Sequence, residues 1–483
     1  MKNLQPHSVW SHFATLCAIP RPSLHEATLR DHLVNWAKAR GIGTRIDAVG
    51  NLILDKPASP GCEGRPGVIL QGHLDMVSQA NTGTVHDFER DPIRTVVRDG
   101  WVVADETTLG ADNGIGVALV LSTLEEPDLM HPPLEVLLTI NEESGMDGAR
   151  GLAPGTLHGT TLINLDTEEW GHFYLGCAGG VDVEVSQTVG QELLPPGYLL
   201  QRLEVSGLSG GHSGIDIHLG RGNAIRLLTE ALRDLAARYD LRLIEFEGGS
   251  ARNALPREAS ALFALPAGEA TQLGGWVAHR LEDWRQRFAK ADPTVSLACK
   301  PGESSTGKAI AQADRDNLLA FLDRAAYGVA HMSKVFPGVV ETSNNLGVAS
   351  LVEGTFSADF LVRSLHDAGL NTLADQLIAH AAAHRMEATK DGAYPGWTPN
   401  PDSSLLALCQ RVYTSQFGQP ASLQVIHAGL ECGLLAASHP HLDMISFGPD
   451  IRGAHAPGER VEIASVARCW QLLKAVLQAL AAA

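Results

Sequence analysis

Four short apolar runs in this chain each end in, or soon lead to, a side chain able to hold a metal ion. Val68-Ile69-Leu70-Gln71-Gly72 ends in His73-Leu74-Asp75, and residues 134–140 end in Asn141-Glu142-Glu143. Thr161-Leu162-Ile163-Asn164-Leu165 ends in Asp166, and Met444-Ile445-Ser446-Phe447 leads through a Gly/Pro loop to His455. Runs of this length read as buried strands. Between the first two, residues 114–124 have the length and pattern of a helix. Earlier, residues 29–39 carry Leu29, Leu33, Trp36 and Ala37 at helical spacing, with Gly41 as the stop. Strands alternating with helices predict an α/β layer built on a mainly parallel sheet. Parallel strands present their carboxyl ends on one edge, where ligand sites gather, and neighbouring strands lie ~4.8 Å apart. The four strand ends would therefore converge.

A fifth element, Leu109-Gly110-Ala111-Asp112-Asn113-Gly114, places Asp112 on a glycine loop at the start of a helix. His, Asp and Glu without Cys form the ligand set of hydrolytic zinc, manganese or cobalt sites. Two such ions ~3.5–4 Å apart need about five protein groups, one of them a bridging carboxylate. The five elements supply that number. His73 and Asp75 are two apart, so on an extended strand they face the same way and Asp75 can orient the imidazole. Glu142 and Glu143 are adjacent and point apart, so one can bind metal while the other acts as general base. Each piece alone is ordinary. A Glu-Glu pair is usually solvated, Asp112 could simply cap its helix, and His7, His12 and His86 read as surface or core residues. The coincidence at four strand ends carries the argument.

At 483 residues the chain exceeds what one core supports, which predicts two domains. From about residue 199 the style changes to strands at 242–246 and 259–265 with helices at 223–237 and 271–289. A second round follows, with helices at 315–326 and 372–384 and strands near 338–342 and 354–363. This predicts an α+β domain at 187–397 inserted into a catalytic α/β domain formed by 1–186 and 398–483. The stretch Tyr394-Pro395-Gly396-Trp397-Thr398-Pro399-Asn400-Pro401 marks the return. A formal charge of 37 − 55 = −18 argues against nucleic-acid and anionic-membrane partners. Seven scattered cysteines, with no Cys-x-x-Cys pair, suggest neither disulfides nor a thiolate zinc site. The first residues lack a secretion signal's apolar core, and no run approaches the ~20 residues that span a bilayer, so a cytosolic protein is expected. Gly207-Leu208-Ser209-Gly210-Gly211 fits the serine-hydrolase elbow, but an elbow needs a helix at the nucleophile. Here helical pattern begins only near Asn223.

The stretches GHLDMV (72–77), LGADNGIG (109–116), TINEESGMDGARGL (139–152), INLDTEE (163–169) and GPDIRGAHAPGE (448–459) resemble the five metal-site motifs of the di-zinc exopeptidase and deacylase family. With HAGLECG (427–433) and YPGW (394–397) in the right order, the chain is most similar to the aminoacyl-histidine dipeptidase branch, the bacterial peptidase D group, over nearly its whole length. The resemblance implies two divalent metal ions, zinc first, with cobalt or manganese possible on the same ligands. His73 and Asp166 would hold one ion and Glu143 and His455 the other, with Asp112 bridging and followed by a cis peptide. Asp75 would orient His73, and Glu142 would be the general base toward a water between the metals. The inserted domain resembles the family's lid and dimerisation domain, which implies a homodimer. In it His212 falls at the oxyanion-stabilising position and Asn253 at a carboxylate-binding one. Arg363, otherwise a strand-surface charge, would grip the substrate's C-terminal carboxylate. Glu431 is the candidate for the substrate's free amine. The implied reaction is hydrolysis of dipeptides with free termini, Xaa-His types such as β-alanyl-histidine among them. The alternatives are a deacylase or carboxypeptidase acting on N-acyl amino acids and a metal-free binding relative, the latter disfavoured because all seven metal-site and base positions are intact.

Overall fold

In the computed structural model the four apolar runs are the strands Val68–His73, Leu134–Thr139, Thr161–Asn164 and Asp443–Ser446. They form the parallel centre of an eight-stranded sheet, in the order Leu134–Thr139, Val68–His73, Thr161–Asn164, Asp443–Ser446. The antiparallel strands Gly43–Ile46 and Leu52–Lys56 extend one side, and His172–Cys177 and Ser422–Ile426 the other. Every residue of Val68–His73 and Leu134–Thr139 is buried, which is why these strands read as continuous apolar runs rather than as alternating patterns. The fold is thus α/β with a mainly parallel sheet.

The structure describes all residues except 2, 82 and 304–306, and among them no helix is long and apolar enough to cross a membrane. The chain divides into two units: Met1–Cys177, Trp397–Val425 and Leu430–Ala483 in the first, Ala178–Gly396 and Ile426–Gly429 in the second. In the first unit the helix Ala111–Glu125 is buried from Asn113 to Leu124, so it is apolar all round rather than amphipathic. It lies so close to the sheet that a β-carbon on Gly116 would stand 2.3 Å from the Leu165 carbonyl oxygen. A small antiparallel sheet orders Ile451–Arg452, Arg460–Glu462, Trp101–Ala104 and Thr95–Arg98. Its pairing of Ile451 with Val461 and Arg452 with Arg460 closes the loop that carries His455.

The second unit has a nine-stranded sheet in which every strand pairing is antiparallel. The helices Ala224–Arg238, Leu273–Arg287, Gln312–Arg324 and Asp367–Ala383 pack onto its apolar core, where Phe246, Phe263, Trp284, Phe321 and Phe360 are buried. The sequence suggested a short strand near 338–342, but the strand runs Val340–Val352. Its polar stretch Thr342-Ser343-Asn344-Asn345 is buried, which periodicity cannot anticipate. Partners remote in sequence hold part of it. Thr342 bonds Ser364 (2.9 Å), Ser343 bonds His427 (2.7 Å), and the Asn345 amide donates to the carbonyls of Arg252 (2.9 Å) and Ala254 (2.8 Å).

Candidate metal centre

The carboxyl ends of the parallel strands bring His73, Glu143 and Asp166 to one edge of the first unit's sheet, and the 453–459 loop delivers His455. Asp112 stands between them. Its Oδ1 lies 3.2 Å from His73 Nε2 and its Oδ2 lies 3.1 Å from His455 Nε2. Each histidine also has a carboxylate of its own: Asp166 Oδ1 is 3.4 Å from His73 Nε2, and Glu143 Oε2 is 3.0 Å from His455 Nε2. Ligand atoms of His73, Asp112 and Glu143 all lie within 4.8 Å of one another. The site has two halves sharing one carboxylate. The Asp112–Asn113 peptide is cis.

Asp75 binds these elements together. Its Oδ1 is 3.3 Å from His73 Nδ1 and accepts the Glu142 N–H (3.0 Å), while Oδ2 accepts the Glu143 N–H (3.1 Å) and the Ser23 hydroxyl (2.8 Å). Although burial opposes it, the bonds from His73 and the Glu142 N–H bring the Asp75 carboxyl down to about 2. It is therefore an anion at any working pH, and it holds His73 with Nδ1 facing away from the shared centre. Glu142 and Glu143 open the short helix Glu142–Gly145.

Charge decides what the site can hold. Four carboxylates (Asp75, Asp112, Glu143, Asp166) lie within 3.4 Å of two imidazoles, so with the carboxylates ionised and both histidines protonated the sum is 2 − 4 = −2. Burial above all, with Asp166, Glu143 and Glu431 adding and His73 opposing, pushes the Glu142 carboxyl well above its usual range. Burial likewise lifts Asp166 to about 6. Hydrogen bonds to Asp112 and Glu143 drive His455 up to about 11. Buried Glu143 Oε1 has no hydrogen-bond partner. Unpaired buried charge is costly, and borderline divalent cations such as zinc, cobalt or manganese are what this His/Asp/Glu donor set fits.

Below the centre runs a buried polar row that the sequence did not advertise. Gln71 donates to Glu431 Oε2 (2.6 Å) and Thr139 donates to the same atom (2.7 Å). The Asn164 amide donates to Gln71, and the Ser446 hydroxyl donates to Asn164. Glu431 is fully buried, its Oε1 has no partner, and burial lifts its carboxyl to about 7. Two further residues escaped sequence reading, Arg21 and Glu459. Arg21 sits between two prolines with no motif around it, and Glu459 was visible only as the last residue of GPDIRGAHAPGE (448–459), without a role.

The remaining predicted residues lie in the second unit. His212 Nδ1 accepts the N–H groups of Gly214 (3.2 Å) and Ile215 (3.1 Å), so the ring proton is on Nε2. Burial, with Arg363 adding, lowers His212 to about 4, so it is a neutral donor. The Ser213 N–H donates to the Asn253 carbonyl (2.8 Å), which pairs the two loops, and Asn253 itself is exposed. Arg363 is 4% exposed, not a surface charge; its Nη1 donates to the Tyr394 hydroxyl (2.6 Å). Ser209 of the elbow-like stretch donates to the Ala291 carbonyl (2.8 Å), and the next long helix starts at Ala224, so no nucleophile elbow is present here.

Residues 69–479 match the model of peptidase family M20/M25/M40, and the chain belongs to that family. It is 42% identical over 478 residues to the cytosol non-specific dipeptidase of Escherichia coli (strain K12), covering 99% of this chain and 98% of the relative. The crystal structure of an aminoacylhistidine dipeptidase from Vibrio alginolyticus superposes with a TM-score of 0.89 at 42% identity, covering 99% of this chain and 97% of that one. The aminopeptidase PepT of Bacillus cereus shares the fold at a TM-score of 0.56 and 15% identity, covering 99% of each chain.

Proposed function

We propose that this protein is a dimetal dipeptidase that hydrolyses dipeptides carrying free amino and carboxyl termini, Xaa-His peptides such as β-alanyl-histidine among them. The observation that carries the reading is the two-sided Asp112 carboxylate, with His73, itself paired with Asp166, on one oxygen and His455, itself paired with Glu143, on the other. The full-length likeness to two dipeptidases supports the substrate class. His73, Asp112, Glu143, Asp166 and His455 would hold two divalent cations, zinc in preference to cobalt or manganese. When bound, such ions polarise a carbonyl and make water acidic enough to deprotonate near neutral pH.

Glu142 is the proton carrier. Its backbone is fixed through Asp75, and its carboxylate takes a proton from the attacking water as the C–O bond forms. It returns that proton to the departing amine as the C–N bond breaks. Asp75 keeps His73 in one tautomer. In the second unit, His212 supplies an Nε2–H for the developing oxyanion, and Arg363 and Asn253 take the substrate's carboxylate. Glu431, the buried carboxylate with a spare oxygen, takes the free amine. The second unit also carries the dimer contact, for which the exposed Ile215, Leu219, Met332 and Val335 are the candidates. A cytosolic setting agrees with the name of the relative from Escherichia coli.

The test is an assay of the zinc-loaded protein against free dipeptides, tripeptides and N-acetyl amino acids. Dipeptide cleavage with the N-acetyl compounds left intact is expected. Cleavage of N-acetyl compounds alone would make the protein a deacylase and remove the role of Glu431.

A further inference from the structure

Asp112 can divide its oxygens between two histidines only if its backbone is held in place, and that backbone is irregular. Inside the first turn of Ala111–Glu125, Asp112 has φ −77° and ψ 112°, and Gly110 before it has φ 67°. No side chain of the usual capping kind serves this helix start. Instead Glu459, 2% exposed, accepts four consecutive backbone N–H groups. Its Oε2 takes those of Leu109 (2.7 Å) and Gly110 (2.9 Å), and its Oε1 those of Ala111 (2.7 Å) and Asp112 (3.1 Å). Those of Gly110, Ala111 and Asp112 are among the donors that a helix leaves unsatisfied at its start, and a carboxylate there also meets the positive end of the helix dipole.

Glu459 ends the same loop that carries His455, so one side chain ties the loop of the shared carboxylate to that of a histidine beside it. Two other ties meet the same turn. Arg21, also buried, donates from Nη2 to the Gly110 carbonyl (2.5 Å) and from Nη1 to the carbonyls of Leu74 (2.8 Å) and Asp75 (2.7 Å), just past His73. The Asn113 amide donates to the Leu165 carbonyl (2.6 Å), next to Asp166. With four N–H groups on its two oxygens, Glu459 has no lone pair aimed at a cation and is not a ligand.

We propose that Glu459 is the positioning residue of this centre: through the backbone of residues 109–112 it sets where the Asp112 carboxylate stands between the His73–Asp166 pair and the Glu143–His455 pair. This rests on the dimetal reading above. If that reading is wrong, the parent protein itself will take up no stoichiometric cation; if this one is wrong, only the variants will tell.

The experiment compares Glu459→Gln, Glu459→Asp and the packing control Val461→Ala, which trims a fully buried side chain two residues away. Each is measured for cobalt affinity, the visible spectrum of the cobalt-loaded protein, melting temperature, and kcat and KM. The amide of Gln turns an N–H pair toward two N–H groups, and Asp falls short of all four. For both, cobalt affinity and kcat should drop about 10–100-fold, with an altered cobalt spectrum and KM within threefold of the parent. Val461→Ala should lose melting temperature while keeping the parent spectrum. Parent-like affinity and spectrum in both Glu459 variants would overturn the proposal. So would spectral changes in Val461→Ala equal to theirs, or failure of both Glu459 variants to fold while Val461→Ala folds, since either outcome makes Glu459 a stability residue only.

Discussion

Glu142 and Glu143 are neighbours in sequence with unlike surroundings, and that contrast makes a residue-scale prediction. Glu143 faces His455, whereas Glu142 has no ion pair with either histidine, although burial and nearby carboxylates raise its proton affinity. Glu142→Gln should therefore keep both cations, as counted by elemental analysis, and lose about 10²–10⁴-fold in kcat. Loss of a cation in step with activity would make Glu142 a ligand instead. Residues of this kind were candidates from the sequence because metal-competent side chains are restricted to a few types and several stand directly after apolar runs. Arg21 and Glu459 were not. A buried charge announces itself only through its partners, and Glu459 meets its four N–H groups 347 to 350 positions away in the chain. His212 lies between: the sequence could place it in a glycine-rich turn, but only the two N–H groups on Nδ1 reveal which nitrogen donates.

At the scale of elements, the helix Ala111–Glu125 and the strand Thr161–Asn164 are joined where glycine leaves room. A β-carbon at Gly116 would lie 2.3 Å from the Leu165 carbonyl and 2.7 Å from the Asn113 amide, the two groups that bond to each other beside Asp166 and Asp112. Gly116→Ala should cost about 1–3 kcal/mol in a denaturant titration and weaken cation binding as well. Gly275→Ala, in the helix Leu273–Arg287 with nothing within 4 Å of the new carbon, should instead gain about 0.5–1 kcal/mol. Equal effects at the two positions would refute the packing argument. The four parallel strands of the first unit were readable because strands buried on both faces are apolar throughout. In the second unit the strand Val340–Val352 hid behind buried Asn and Ser, whose bonds to Arg252, Ala254 and His427 no local pattern encodes.

For the whole molecule, the two units have separate apolar cores, and all five proposed ligands belong to the first. Cations that bind only folded protein stabilise the unit that holds them, by about 2.7 kcal/mol at a hundred times their dissociation constant. Chelation should therefore raise hydrogen exchange at the ends of Val68–His73 and Leu134–Thr139 and leave Ala259–Pro266 and Thr355–Ser364 unchanged; a uniform rise across both units would contradict this. The first unit is also discontinuous along the chain, with Ala178–Gly396 interposed between Asp166 and His455. During synthesis the centre is consequently completed late. A ribosome joins His73, Asp112, Glu143 and Asp166 early, then builds the whole interposed segment before adding His455 and Glu459. Until then the chain holds four of the five proposed ligands with the Asp112 loop untied, and a peptidase assembled in this order gains its cutting power only after most of it has been made.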